Sequence, residues 1–410
     1  LLNRKILPFH FTHLSAGFIA VLVGYTSSAA IVFEAAHAAG ANPEQIGSWL
    51  LALGLGMGVT CIGLSLYFRS PVLTAWSTPG AALLATSLQG VSMAEAIGVF
   101  LFSSALITLV GLSGWFDRLM RHIPKALASA MLAGVLLRFG VDMFAALSSL
   151  HFLVAGMFAA FLVARRIWPR YAVLLAFVVG LVWVVAHGDV QTHTLTLSWA
   201  RPVFTAPRFS VAPLLGVGLP LFIVTMASQN VPGLAVLRAN GYTTPASPLI
   251  ATTGLTGLLL APWGGYTFNL AAITAAICMA PHADPNPAQR YKAAVAAGGF
   301  YLLTGLLGPT VASLFASVPK AFVLGIAGLA LLATIAASLA ASLVDESERD
   351  AALITFLVTA SGLSLFRIGS AFWGLVLGLA ASWIARSFRA AGPSAPAAAA
   401  PPDPEPDRPR

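Results

Sequence analysis

Charge is the scarcest thing in this sequence. Only 9% of its 410 residues are Asp, Glu, Lys or Arg, while 58% are hydrophobic. The mean hydropathy is +0.86. A chain folded in water keeps roughly 25% charged residues to solvate its surface. Lipid must therefore surround most of this one, which excludes a soluble enzyme, a nucleic-acid-binding module or a disordered protein as a whole-chain description. Cysteine is nearly absent as well. Cys61 and Cys278 lie in apolar stretches without neighbours at metal-ligand spacing, so they read as core packing and not as a disulfide. There is no Gly-x-x-x-x-Gly-Lys-Ser/Thr phosphate loop, the eight histidines form no metal constellation, and no cofactor is expected. The first apolar stretch runs past signal-peptide length, so no cleaved leader is expected.

What the sequence does have is long apolar runs. A spanning helix needs about 20 such residues. Candidates are 14–36, 46–68, 94–115, 124–146, 170–187, 213–237, 248–263, 291–308, 319–343 and 368–388, with shorter ones at 151–164 and 351–366. Segments 72–88 and 266–280 are interrupted by Pro, Gly, Asn and Thr and read as an extended piece followed by a half-helix. The count is about fourteen segments in an all-α polytopic membrane protein, or twelve if the two short ones fail to span. With both termini cytoplasmic, 17 of the 22 basic residues fall on the inner side and four on the outer, leaving Arg138 inside a span. That asymmetry is the positive-inside rule, so the net charge of +8 concerns orientation and not nucleic acid. Residues 392–410, rich in Pro and Ala, read as a disordered cytoplasmic tail.

The chain also repeats itself. Ile123–Leu137 recurs as Val318–Leu332, a shift of 195 at the shared Pro-Lys-Ala. Gly17 to Gly40 and Gly218 to Gly241 span the same 23 positions, and Ala81-Ala82 is matched with Ala271-Ala272. A repeat of seven spans, being odd in number, must invert. Two inverted repeats with discontinuous helices at matching places are the signature of a secondary transporter.

In such proteins the substrate sits where the half-helices meet. Thr78-Pro79-Gly80 announces the first half-helix, with Thr78 as N-cap and Gly80 leaving room for a ligand; the second is expected near Phe268-Asn269. Two helix starts would favour a small carboxylate without any Lys or Arg. Polar patches at Tyr25, Ser27 and Ser28 and at Gln229 and Asn230 flank the point, and Tyr25, Trp76 and Phe268 offer an aromatic wall. Interhelical gluing is the competing role for the polar side chains. Of the acids, Glu34, Glu95 and Asp142 lie in or near spans; Asp142 is placed to pair with Arg138, and Glu34 is the proton-coupling candidate.

The strings 70–87, 24–36 and 266–279, with Ser228-Gln229-Asn230 before Pro232-Gly233, resemble the benzoate transporter (BenE) family from about residue 5 to 388. The resemblance implies a benzoate/proton symporter of the bacterial inner membrane on a seven-plus-seven inverted repeat similar to that of uracil permeases and sulfate transporters. It implies a core domain of 10–117 and 210–310 and a gate domain of 121–190 and 316–390, working by alternating access. Where uracil permeases carry carboxylates on the eighth and tenth spans, this chain has Gln229, Asn230 and Asn269, which suits an anion. The alternatives are a nucleobase or inorganic-anion carrier on the same scaffold, then a channel or a membrane-embedded enzyme. The expected partners are a small aromatic carboxylate, a proton and the lipid bilayer; the number of subunits is left open, a homo-oligomer included.

Overall fold

The computed structural model describes residues 9–390 apart from 117, 119–123, 192–194, 196 and 367. The expected tail at 392–410 and Arg4, Lys5, Arg121, Arg367, Arg408 and Arg410 lie outside the described residues. The first repeat runs α1 (Phe11–Ala38), α2 (Pro43–Phe68), strand β1 (Thr74–Trp76), half-helix α3 (Thr78–Ser87), α4 (Met93–Ser113), α5 (Lys125–Ala145), α6 (His151–Ile167) and α7 (Ala172–Ala186). The second runs α8 (Val211–Ala239), α9 (Ala246–Leu260), strand β2 (Phe268–Leu270), half-helix α10 (Ile273–Met279), α11 (Tyr291–Leu306), α12 (Gly308–Ala316), α13 (Lys320–Ser342), α14 (Arg349–Ala360) and α15 (Ser370–Ala390).

Helix starts follow local chemistry. Asn42 Oδ1 accepts from Gln45 N and Gln45 Oε1 accepts in return from Asn42 N, each at 2.9 Å, with Pro43 first in α2. Two features escape the sequence pattern. α8 contains π turns at Leu214–Gly218 and Met226–Asn230, and α11 gives way to α12 through a 67° bend. Pro309 explains the bend, because it has no N–H with which to continue the ladder of α11. The short α14 has 12 residues, about 18 Å at the usual rise. It packs between α5 and α15, which shelters a helix shorter than the hydrocarbon core.

The helix packing and the strand register relate the repeats by an approximate two-fold axis. α2 packs on α11, and the counterpart α9 packs on α4; α5 and α13 pack on each other. Pro124 and Pro319 are the N-caps of α5 and α13, so the repeated Pro-Lys-Ala starts equivalent helices. Gly40 and Gly241 both take positive φ (73° and 84°) just after α1 and α8, a conformation that glycine adopts without strain. The strands pair antiparallel as Thr74↔Leu270, Ala75↔Asn269 and Trp76↔Phe268. The axis therefore passes between Ala75 and Asn269 and sets the local shift at 194, the difference between Thr74 and Phe268. By that register Ala81-Ala82 correspond to Ala275-Ala276, one helical turn beyond the match expected from sequence.

Packing divides the helices into two groups, α1–α4 with α8–α11 and α5–α7 with α13–α15. Within the first, glycine brings backbones together. A methyl on Gly54 of α2 would stand 2.5 Å from Gly305 Cα of α11, and one on Gly254 of α9 would stand 2.5 Å from Thr108 N of α4. These two seams are exchanged by the axis. Such close approach is how helices associate in lipid, where apolar burial alone gives no advantage. The linker between the repeats is stitched over the end carrying the α1–α2 turn, with Ala200 N donating to Leu306 O and Thr205 N to Pro262 O, both at 2.8 Å.

Candidate functional site

The paired strands place the starts of α3 and α10 at the centre of the first helix group. Ser77, and not Thr78, is the N-cap of α3: its hydroxyl accepts from Gly80 N at 3.0 Å. Thr78 and Pro79 are then the first two helical residues, and the competent cap sits one position earlier than expected. Ser77 is also a junction, since its hydroxyl accepts from Thr225 Oγ1 at 3.2 Å and its carbonyl from Tyr266 Oη at 3.1 Å. Sequence reading missed Ser77, Thr225 and Tyr266, although a Ser two residues before a Pro was a usable cap signal. Gly80 serves packing: a methyl there would stand 2.7 Å from Ser77 Oγ and 2.8 Å from Leu221 Cδ1.

Tyr25 and Trp76 do form an aromatic wall, edge to face with centroids 4.8 Å apart. Tyr301 adds a third ring 6.3 Å from Tyr25. The Tyr25 hydroxyl is buried beside Thr304 without reaching hydrogen-bond geometry. Phe268 does not join this wall. Although it lies opposite Trp76 in the ladder, its ring packs against Gly56 of α2. Ser28 accepts from Trp76 Nε1 at 2.8 Å and donates to Gly24 O at 2.7 Å, while Ser27 donates to Gly24 O at 3.0 Å.

The amides differ in the same way. Asn230 is fully buried and committed: Oδ1 accepts from Leu270 N at 3.0 Å and Nδ2 meets Met226 Sδ at 3.2 Å. Asn269 donates to Leu270 O at 3.1 Å, and its Oδ1 is buried with no hydrogen-bond partner among the described residues. Gln229 is half-buried, and among the described residues its amide makes no hydrogen bond. Its neighbours on α8 touch both half-sites, Thr225 at Ser77 and Asn230 at Leu270. Thr78 is likewise half-buried with an uncommitted hydroxyl among the described residues. The second half-helix begins at Ile273, after the Phe268–Leu270 strand, and no side chain caps it.

Glu34 lies elsewhere. Nine residues separate it from Tyr25 on α1, about 13 Å along the axis. It faces a cavity of about 780 Å³ shared with His37, Trp199, Arg201 and Lys320. Glu95 is held by Ser92 and by Ser210 Oγ at 2.6 Å. Asp142 faces Arg138 at 3.6 Å, both largely exposed. Cys61 accepts from Thr74 N at 3.2 Å, so it helps to seat β1 besides filling space. At the opposite end of the first group, Asp284 in the turn before α11 holds His13 Nε2 at 2.7 Å.

Residues 7–384 match the family model described as benzoate membrane transport protein, BenE. The chain belongs to this family. It is 54% identical over 365 residues to the inner membrane protein YdcO of Escherichia coli strain K12, covering 89% of this chain and 93% of that one. With the benzoate membrane transport protein of Acinetobacter baylyi strain ADP1 it shares 40% identity over 369 residues, covering 90% and 94%. In fold it is similar to SLC26A9, with a TM-score of 0.59 at 11% identity over 91% of this chain; it spans 65% of that longer chain. The transmembrane domain of a cyanobacterium bicarbonate transporter, BicA, is also similar, with a TM-score of 0.57 at 12% identity over 92% of this chain and 97% of that one. This BenE family member is thus a membrane transport protein with the inverted-repeat fold expected from its sequence.

Proposed function

We propose that the chain is a secondary active transporter that takes up benzoate, or a similar small aromatic carboxylate, together with a proton across the bacterial inner membrane. What carries the reading is one arrangement: the uncommitted amide of Gln229 lies between two contacts of α8 with the half-helix starts, in a chain 40% identical to a benzoate membrane transport protein. In this reading the carboxylate accepts from Gln229 Nε2, from the Thr78 hydroxyl and from Thr78 N–H at the positive end of α3, and the ring lies along Tyr25 and Trp76. Neutral donors suffice because a helix start in a low-dielectric interior favours an anion.

The helix groups act as the core (10–117 and 210–310) and the gate (121–190 and 316–390), and alternating access is movement of one against the other. Both termini are cytoplasmic, by the distribution of basic residues. Glu34 carries the proton: of the three acids in or near spans it alone has neither a hydrogen bond nor an ion pair among the described residues, and its cavity includes Lys320 of the gate. Uptake of labelled benzoate into proteoliposomes, with and without an inward proton gradient, tests the proposal. Gradient-dependent, saturable accumulation is expected. Competition by uracil without competition by benzoate would overturn it.

A further inference from the structure

A second cavity, of about 790 Å³, lies between the two helix groups at the end carrying the α1–α2 turn. It is within the range of small-molecule sites, and its lining is polar. Ser87 from the end of α3, Ser210 before α8, Ser361 after α14 and Ser370 at the start of α15 contribute hydroxyls, and Arg138 and Arg208 contribute guanidinium groups. The charges are unevenly committed. Glu95, which also lines the cavity, is bonded by Ser92 and Ser210. Arg138 forms an ion pair with Asp142 at 3.6 Å but donates no side-chain hydrogen bond to any described residue, and Arg208, close enough to Glu95 to act on its carboxylate electrostatically, likewise donates none. So two sets of guanidinium donors face a cavity whose lining carboxylate is already occupied. The Thr359 hydroxyl, on another lining residue, is buried with no hydrogen-bond partner among the described residues. Thr86 at this cavity is eight residues from Thr78 on α3, about 12 Å away. The cavity is therefore distinct from the centre where the half-helices start.

We propose that this cavity is an entry site that captures the substrate's carboxylate on Arg138 and Arg208 before it reaches the half-helices. The inference rests on the aromatic-carboxylate reading above and adds a second binding step to it. A guanidinium presents paired N–H donors that match a carboxylate, and the hydroxyls leave the ring free to pass on. Because the Arg138 side chain is exposed at this cavity, its attraction works over about a Debye length and weakens as ionic strength rises.

Two measurements on the full chain test it. In proteoliposomes, R138Q/R208Q should raise the KM for benzoate about tenfold, equivalent to the loss of about 1.4 kcal/mol, while Vmax changes little. The wild-type KM should rise with salt, and that dependence should be lost in the double variant; R138K/R208K should restore part of it. A double variant with wild-type KM and wild-type salt dependence overturns the proposal. The second measurement does not need transport. Ser361→Cys should react with an anionic methanethiosulfonate faster than with a cationic one, relative to their rates on a free thiol. Benzoate should slow the reaction, and R138Q/R208Q should abolish the preference. Equal relative rates without protection by benzoate overturn the entry site. A wild-type protein that takes up no benzoate overturns the transport reading instead, and the labelling result then stands by itself.

Discussion

Trp76 Nε1 donates to Ser28 Oγ at 2.8 Å, and Ser28 in turn donates to Gly24 O at 2.7 Å, so the end of β1 is fastened to the middle of α1 through one hydroxyl. The bond orients the indole that faces Tyr25. Ser28→Ala leaves a buried N–H without an acceptor, which costs about 1–3 kcal/mol. Trp76→Phe removes donor and demand together and should cost less stability. In thermal unfolding of the purified protein, Ser28→Ala should melt lower than Trp76→Phe. The reverse order would mean that the ring, not its bond, holds the strand.

Gln229 and Asn230 are adjacent amides with opposite expected phenotypes. Gln229→Ala should raise the KM for substrate about 5- to 20-fold, the scale of one or two lost hydrogen bonds, with little change in melting temperature. Asn230→Ala removes the acceptor for Leu270 N and should lower stability by about 1–3 kcal/mol. Uptake kinetics paired with thermal unfolding separate the two. Equal stability losses would argue that Gln229 is structural.

Glycine positions fall into two classes. Gly54→Ala drives a methyl into the backbone of α11 and should destabilise by about 1–3 kcal/mol or more. At Gly63, also in α2, a methyl meets nothing within 4 Å. Gly63→Ala should be neutral or stabilise by up to about 1 kcal/mol through the restricted unfolded chain. Melting temperatures of the two variants in one detergent check this.

Asp284 gives an acid-dependent contribution. Burial alone would raise its pKa, but the bond from Asn286 N at 2.8 Å and the His13 contact at 2.7 Å outweigh it and hold the carboxyl below its ordinary range. A lowered folded pKa means stability that is present above the unfolded value, near ~3.9, and is lost as pH falls through the folded value. Asp284→Asn should therefore melt below wild type at neutral pH, and the gap should shrink toward pH ~3. A gap that stays constant would remove the ionised carboxylate from the explanation.

Most of the fold was legible because lipid enforces it. Apolar runs had to become helices, and the interruptions at 72–88 and 266–280 became a strand and a half-helix each. The two-fold also showed through where backbone chemistry demanded particular residues, as at Pro124/Pro319 and Gly40/Gly241. The π turns of α8 were not legible, because a one-residue widening leaves no mark on apolar periodicity. For the site, residue types were readable but directions were not. Nothing in the string distinguishes Asn230, turned onto Leu270 N, from Gln229, left uncommitted. Phe268 likewise has the composition of a ligand wall and the orientation of a core residue, set by the space that Gly56 leaves.

The glycine seams between α2 and α11 and between α4 and α9 also bear on how such a protein diversifies. Where backbone lies against backbone, neither partner can gain even a methyl unless the other recedes, so these positions are closed to gradual change. If the substrate binds as proposed, adaptation to a larger or smaller acid would proceed through the few side chains around Gln229 and Thr78 and through the second helix group. The inherited architecture would stay constant while its clientele changes.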